Sequence, residues 1–98
     1  MQFFYSKQFL KDLKQFVHQP SRKDLIDTVL YDFQCNILQS IYYRKKLKWY
    51  DSIHELQAGW DVRIIIELLR EDDKCTFLRI GTHSSLDLTG TKKLRLPS

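Results

Sequence analysis

This chain is poor in the residues that mark several protein classes. Its two cysteines, Cys35 and Cys75, form no Cys-x-x-Cys motif, and its histidines show no paired ligand spacing. A disulfide scaffold and a zinc site are therefore both poorly supported, and no metal or cofactor is expected. The longest unbroken apolar runs, such as Ile64-Ile65-Ile66, are three residues long, far short of the roughly 20 residues that span a bilayer. The apolar start, Met1 to Tyr5, is interrupted at once by Lys7 and Lys11, so it lacks the core of a secretion signal. With three glycines in all, there is no glycine-rich phosphate loop and no Gly-x-Ser-x-Gly elbow, and kinase, P-loop and hydrolase readings lack their motifs. These absences leave a cytosolic protein, without membrane contact, whose two thiols are expected to be reduced and buried.

At 98 residues the chain fits a single domain over residues 1–98, and a chain of this size buries roughly 65% of its unfolded surface. A hydrophobic content of 43%, with 13% aromatic and 29% charged residues, is that of a folded globular protein. Sixteen Lys and Arg against twelve Asp and Glu give a net charge of +4, which suits an anionic partner without requiring one. The positive charge is clustered: residues 44–48 read RKKLK, and Lys92, Lys93 and Arg95 make the tail over 88–98 basic. A solvated face and a solvated tail would look the same.

The periodicity changes along the chain. Residues 2–5 form a short aromatic strand candidate, and Ser6 is placed to cap a helix. Phe9, Leu10, Leu13, Phe16 and Val17 recur at helical spacing, with Lys7, Lys11 and Lys14 opposite, and His18 would be a favourable cation at that helix's C-terminus. Pro20 breaks the pattern, Ser21 and Asp24 resemble a capping box, and Leu25, Val29, Leu30, Phe33, Ile37, Leu38 and Ile41 predict a second helix reaching about residue 42. After the basic run the spacing becomes two: 52–57, 61–70 and 75–82 read as strands of an antiparallel meander. Strict alternation sets Val62, Ile64, Ile66 and Leu68 against Arg63, Ile65, Glu67 and Leu69, and Leu78 and Ile80 against Phe77, Arg79 and Gly81. One face would cover the helices and the other would carry the arginines.

The last strand ends in Gly81-Thr82-His83, with Arg79 and Arg63 expected on a shared face. Such a set suits acid–base chemistry on a phosphodiester. RNA cleavage needs the 2'-hydroxyl deprotonated, the leaving 5'-oxygen protonated and the phosphate charge stabilised. Histidine can make either proton transfer, because its pKa of about 6.5 lies near working pH. Arg63 and Arg79 could hold the phosphate through bidentate donors, and Glu55, Glu67 and Asp87 are candidate bases. Plainer readings stand beside these: His83 as a surface turn residue, His54 as a packing residue, and the two arginines as cross-strand partners of Glu67 and Glu55. Trp49 and Trp60 flank a hairpin and read as lids on the core, with base stacking as the alternative.

The segments Phe9-Leu10-Lys11-Asp12-Leu13, Lys46-Leu47-Lys48, Ile53-His54-Glu55-Leu56, Val62-Arg63-Ile64-Ile65 and Leu78 to Leu86, in this order, resemble the RelE/ParE superfamily of bacterial type II toxins. The Gly-Thr-His ending is most similar to the YafQ branch, and Ile53 to Leu56 followed by Val62 to Ile65 to the HigB branch. The resemblance implies an α+β fold, with two N-terminal antiparallel helices packed on a curved antiparallel sheet in the order β-α-α-β-β-β. It implies a metal-independent endoribonuclease that cleaves mRNA, commonly on the ribosome, and is silenced by a cognate antitoxin. It assigns His83 to the catalytic position after the last strand and Arg63 to phosphate contact, with Arg79 beside it; the residue types themselves add Glu55 and Asp87 to the catalytic set as candidate bases, and the clustered charge makes Arg44, Lys45, Lys46, Lys48, Lys92 and Lys93 candidate RNA-binding cations. The chain departs from the family pattern at Asp87, where an aromatic usually stands, and the further histidines and aspartates of YafQ-like toxins are not clearly matched. A ParE-like gyrase inhibitor of the same fold, and an RNA-binding module without catalysis, are the alternatives.

Overall fold

Residues 1–47 and 50–86 are described by the computed structural model. Lys48, Trp49, Asp87, Lys92, Lys93 and the basic tail over 88–98 lie outside the described residues. Along the chain come β1 (Gln2–Tyr5), α1 (Lys7–Leu13), α2 (Pro20–Asn36), β2 (Tyr43–Lys46), β3 (Ile53–Ala58), β4 (Val62–Leu69) and β5 (Lys74–Thr82), with short 3-10 turns after α1, α2 and β4. The strands form one sheet in the order β1-β5-β4-β3-β2.

Ser6 explains how β1 passes into α1. Its Oγ accepts from the Phe9 N–H at 2.9 Å and donates to the Leu78 carbonyl at 2.9 Å, so one hydroxyl caps the helix and ties it to β5. α1 then runs beside the part of β5 that β1 does not cover. There Asp12 accepts from the Ile80 N–H at 3.2 Å, and Gln15 Nε2 donates to the Ile80 carbonyl at 3.4 Å. A helix thus closes a strand edge that would otherwise expose unpaired backbone groups.

α2 starts with Pro20 in its first turn and Gln19 at the N-cap, without a side-chain cap bond. The capping box expected from Ser21 and Asp24 is absent, because proline at the first helical position sets the start one residue earlier. α2 ends at Asn36, not near 42: Ile37 adopts φ 46°, ψ −122°, and the chain turns toward β2. Ser40 helps to fix this exit, its Oγ bonding the Asp32 carboxylate and accepting from the Tyr42 N–H. His18 falls in the linker between the helices, past the turn that follows α1.

The helices bury Phe9, Phe16, Ile26, Val29 and Phe33 against Leu56, Ile64, Ile66, Phe77 and Ile80 of the sheet. The expected α+β layering is present, with two differences. The sheet is mixed, since β1 runs parallel to β5 while β2 to β5 are antiparallel. It also has a strand the sequence reading missed: the basic run contributes β2, an outer strand whose Arg44, Lys45 and Lys46 are exposed. Charged side chains on an edge strand oppose pairing with another molecule's sheet, which is a structural reason for these cations. Cys35 is exposed and only Cys75 is buried, contrary to the expectation of two buried thiols. Burial, reinforced by the nearby Glu67 charge, pushes the Cys75 thiol up to about 12.

A bulge in β5 overturns the strict alternation expected there. Ile65 pairs with Arg79 and Ile66 with Phe77, leaving Leu78 as an extra residue. Phe77 therefore joins Ile80 and Cys75 in the core beneath the helices, while Leu78 turns to the opposite side. On that side it packs with Leu47, Ile53, Ile65 and Leu86, with Tyr50 against them, as a second small core.

Candidate functional site

The face of the sheet away from the helices carries a buried charged group. Glu55 on β3 is 1% exposed and Arg63 on β4 6%. Arg63 Nε lies 3.8 Å from Glu55 Oε1, and Arg44 Nε of β2 lies 2.9 Å from Glu55 Oε2. Neither contact is a formed hydrogen bond, so Glu55 Oε2 and Arg63 Nε are held by charge. A second bulge, at Arg44, produces this arrangement: Tyr43 opposes Leu56 and Lys45 opposes Glu55, freeing Arg44 to reach both Glu55 and Gln57 Oε1, the latter at 3.0 Å. Gln57 lies directly across from Arg63.

His83 sits in the turn that follows β5. Thr82 and Ser85 close this turn reciprocally, each backbone N–H donating to the other's hydroxyl at 3.0 Å. Gly81 is needed just before it, because a Cβ there would lie 2.8 Å from Ser85 Oγ and 3.2 Å from Leu86 Cγ. The His83 N–H donates to the Asp61 carbonyl at 2.7 Å, pinning the turn to the β3–β4 hairpin. Among the described residues the imidazole makes no hydrogen bond or ion pair, and it is half-buried. It lines an open depression of about 400 Å³ together with Trp60, Asp61, Arg63, Thr82 and Ser84. The Asp61 carboxylate is already paired with Arg22 of α2 at 3.0 Å.

The structure thus brings His83 and Arg63 to one depression and places Glu55 and Arg44 behind Arg63. It does not add Arg79 to that group. Arg79 Nε donates to Asp12 Oδ2 of α1 at 2.7 Å, and Nη2 to Oδ1 at 3.4 Å. The cross-strand reading of the arginines holds in altered form for Arg63, which pairs with Glu55 of the adjacent strand, and fails for Arg79, which pairs with a helix residue 67 positions away. Lys45 and Lys46 follow Arg44 along β2, Lys45 opposite Glu55 and Lys46 opposite His54. Lys48, Asp87, Lys92 and Lys93 are outside the described residues.

His54 packs as expected, its ring 5.6 Å from that of Tyr43 and its Nδ1 2.9 Å from the Tyr43 hydroxyl. Burial holds its pKa below the ordinary value of 6.5, helped by the Lys46 and Arg70 charges. Trp60 does not pack as a lid: it is 82% exposed. The sequence reading missed the Arg44 bridge and Gln57. The three-residue connection over 59–61 could have revealed Gln57, since it sets Gln57 opposite Arg63.

No protein-family model and no curated protein sequence matches the chain. Solved structures do. YafQ from E. coli strain BL21(DE3) is 22% identical over 90% of this chain and 97% of its own, with a TM-score of 0.70. A metal-bound toxin from Helicobacter pylori is 23% identical over 88% and 98%, with a TM-score of 0.73. A chain of the RelB-RelE antitoxin-toxin complex from Methanococcus jannaschii is 24% identical over 88% and 98%, with a TM-score of 0.68. The chain therefore has the fold of these RelE-like toxins, over nearly the whole length of each.

Proposed function

We propose that this protein is the toxin of a type II toxin–antitoxin pair, and that it inhibits translation by cutting mRNA, on the ribosome, in the cytoplasm. The observation that carries this reading is that His83, whose imidazole makes no hydrogen bond or ion pair among the described residues, shares one solvent-open depression with Arg63. A phosphodiester seated there meets a guanidinium for its charge and an imidazole for a proton. In the reaction the 2'-hydroxyl loses its proton and its oxygen attacks phosphorus. The bond to the 5'-oxygen breaks and that oxygen is protonated, giving a 2',3'-cyclic phosphate and a free 5'-hydroxyl.

His83 carries one of the two proton transfers, a contribution on the order of 10²- to 10⁴-fold. Glu55, buried between Arg44 and Arg63, orients the phosphate-binding guanidinium. Asp87 is assigned the second proton transfer. Arg79 supports the site indirectly, by holding α1 on β5 through Asp12. Arg44, Lys45 and Lys46 along β2, with Lys48, Lys92 and Lys93, supply sequence-independent attraction for the RNA backbone. The RelB-RelE neighbour is an antitoxin-toxin complex, and an acidic antitoxin segment covering the His83 and Arg63 depression is the partner assigned here.

Induced expression of the chain alone tests the reading. Growth should stop, with protein synthesis falling before DNA synthesis. Failure of DNA synthesis and supercoiling first would favour gyrase inhibition on the same fold and overturn the ribonuclease assignment.

A further inference from the structure

The β3–β4 connection holds a large aromatic ring out into solvent, on a turn whose backbone is fixed at each residue. Gln57 Nε2 donates to the Gly59 carbonyl at 2.7 Å, Arg63 Nη1 to the Trp60 carbonyl at 3.2 Å, and the His83 N–H to the Asp61 carbonyl at 2.7 Å. Gly59 has φ +90°, and a Cβ on it would lie 3.3 Å from the Leu25 side chain of α2, so the turn is pressed onto the helix below. The indole it displays is 82% exposed and, among the described residues, makes no ring contact or hydrogen bond. A tryptophan buried on one side would stabilise the fold. One held outward on a rigid turn does not, and its open π face borders a polar depression where a flat ligand can stack on it.

We propose that the Trp60 indole is the stacking platform for one nucleobase of single-stranded RNA, the base next to the phosphate held at Arg63. This deepens the ribonuclease reading and rests on it. Trp60, Arg63 and His83 line the same depression, and the Trp60 carbonyl is bonded by Arg63 itself, so ring and guanidinium are positioned as one unit. The occupant follows from the chemistry. A flat π face beside a guanidinium, with Arg44 of β2 bonded to Gln57 at the foot of the same hairpin, suits a ligand with flat rings on a polyanionic backbone. Because the turn is already ordered, stacking on it immobilises little further chain, and it is tolerant of base identity.

The test uses the full chain carrying His83→Gln, so that RNA is bound without being consumed, and Trp49→Phe, so that Trp60 is the single indole. A short single-stranded RNA is titrated while tryptophan emission is followed. The expected result is saturable quenching. Trp60→Ala should weaken RNA binding roughly 10-fold and Trp60→Phe much less, as for other base–aromatic stacks, while the melting temperature of each stays at that of the parent. RNA binding with unchanged emission, and unchanged affinity in Trp60→Ala, would overturn the stacking role and leave the ribonuclease reading standing. Absence of any RNA binding would overturn both.

Discussion

Replacing Asp12 should cost more than its place on a short helix suggests. Its carboxylate is nearly buried, and it accepts from the Ile80 N–H, from Gln8 Nε2 at 2.7 Å and from two nitrogens of Arg79. Asp12→Ala leaves a strand N–H unsatisfied at a covered edge and a partly buried guanidinium unpaired. Hydrogen bonds to a charged group contribute about 1.5–3 kcal/mol each, and breaking a buried pair costs about 3–5. Arg79 remains 24% exposed, so water recovers part of this, and the expected loss is about 3 kcal/mol. Asp12→Asn, which can still accept from Ile80, should lose about 1 kcal/mol. In urea, with a slope near 1.5 kcal/mol/M, Asp12→Ala should lower the midpoint by roughly 2 M. A double-mutant cycle with Arg79→Ala should show coupling above about 0.5 kcal/mol, since contacting residues are not additive. Strict additivity, or a midpoint within experimental scatter of the parent, would refute the account of how α1 is held on β5.

Gly81→Ala should disturb the turn after β5 by forcing Ser85 Oγ and Leu86 away from the new Cβ, at about 1–3 kcal/mol; displaced His83 and Ser85 resonances in an NMR spectrum would show it, and an unchanged spectrum would contradict the packing. His54 supplies a pH dependence. Burial keeps its folded pKa below 6.5, so the unfolded chain binds the extra proton and stability falls as pH drops below about 6.5. Replacing His54 by Gln should flatten the stability profile between that value and the folded pKa, as measured by urea midpoints across pH.

The helices and the three long strands were legible because their burial follows regular periods, as with Phe9, Phe16, Val29 and Phe33, or Val62, Ile64 and Ile66. The misses share a cause: each depends on a non-local or irregular feature. Arg44, Lys45 and Lys46 show only as a basic run, because an exposed edge strand needs no apolar alternation. The bulges at Arg44 and Leu78 add one residue to a two-residue period, so Phe77 and Leu78 exchange faces with nothing local to announce it. Arg79 was placed beside Arg63 by counting along β5, while its partner Asp12 lies at the other end of the chain. His83 and Arg63 were identifiable by residue type and strand position. Trp60 was not, since an exposed indole at a hairpin tip and one folded over the core have the same sequence.

The proton transfer assigned to His83 in RNA cleavage is tested most directly by His83→Gln. Glutamine keeps hydrogen-bonding capacity and approximate size but cannot exchange a proton near neutral pH. Cleavage of free and ribosome-bound mRNA should fall by on the order of 10²-fold or more while RNA affinity changes little. Arg63→Ala, measured alongside, should weaken binding and cleavage together and reduce the salt dependence by about one phosphate contact. If His83→Gln cleaves both substrates as fast as the parent protein, His83 has no catalytic role and the site as described is not that of a ribonuclease.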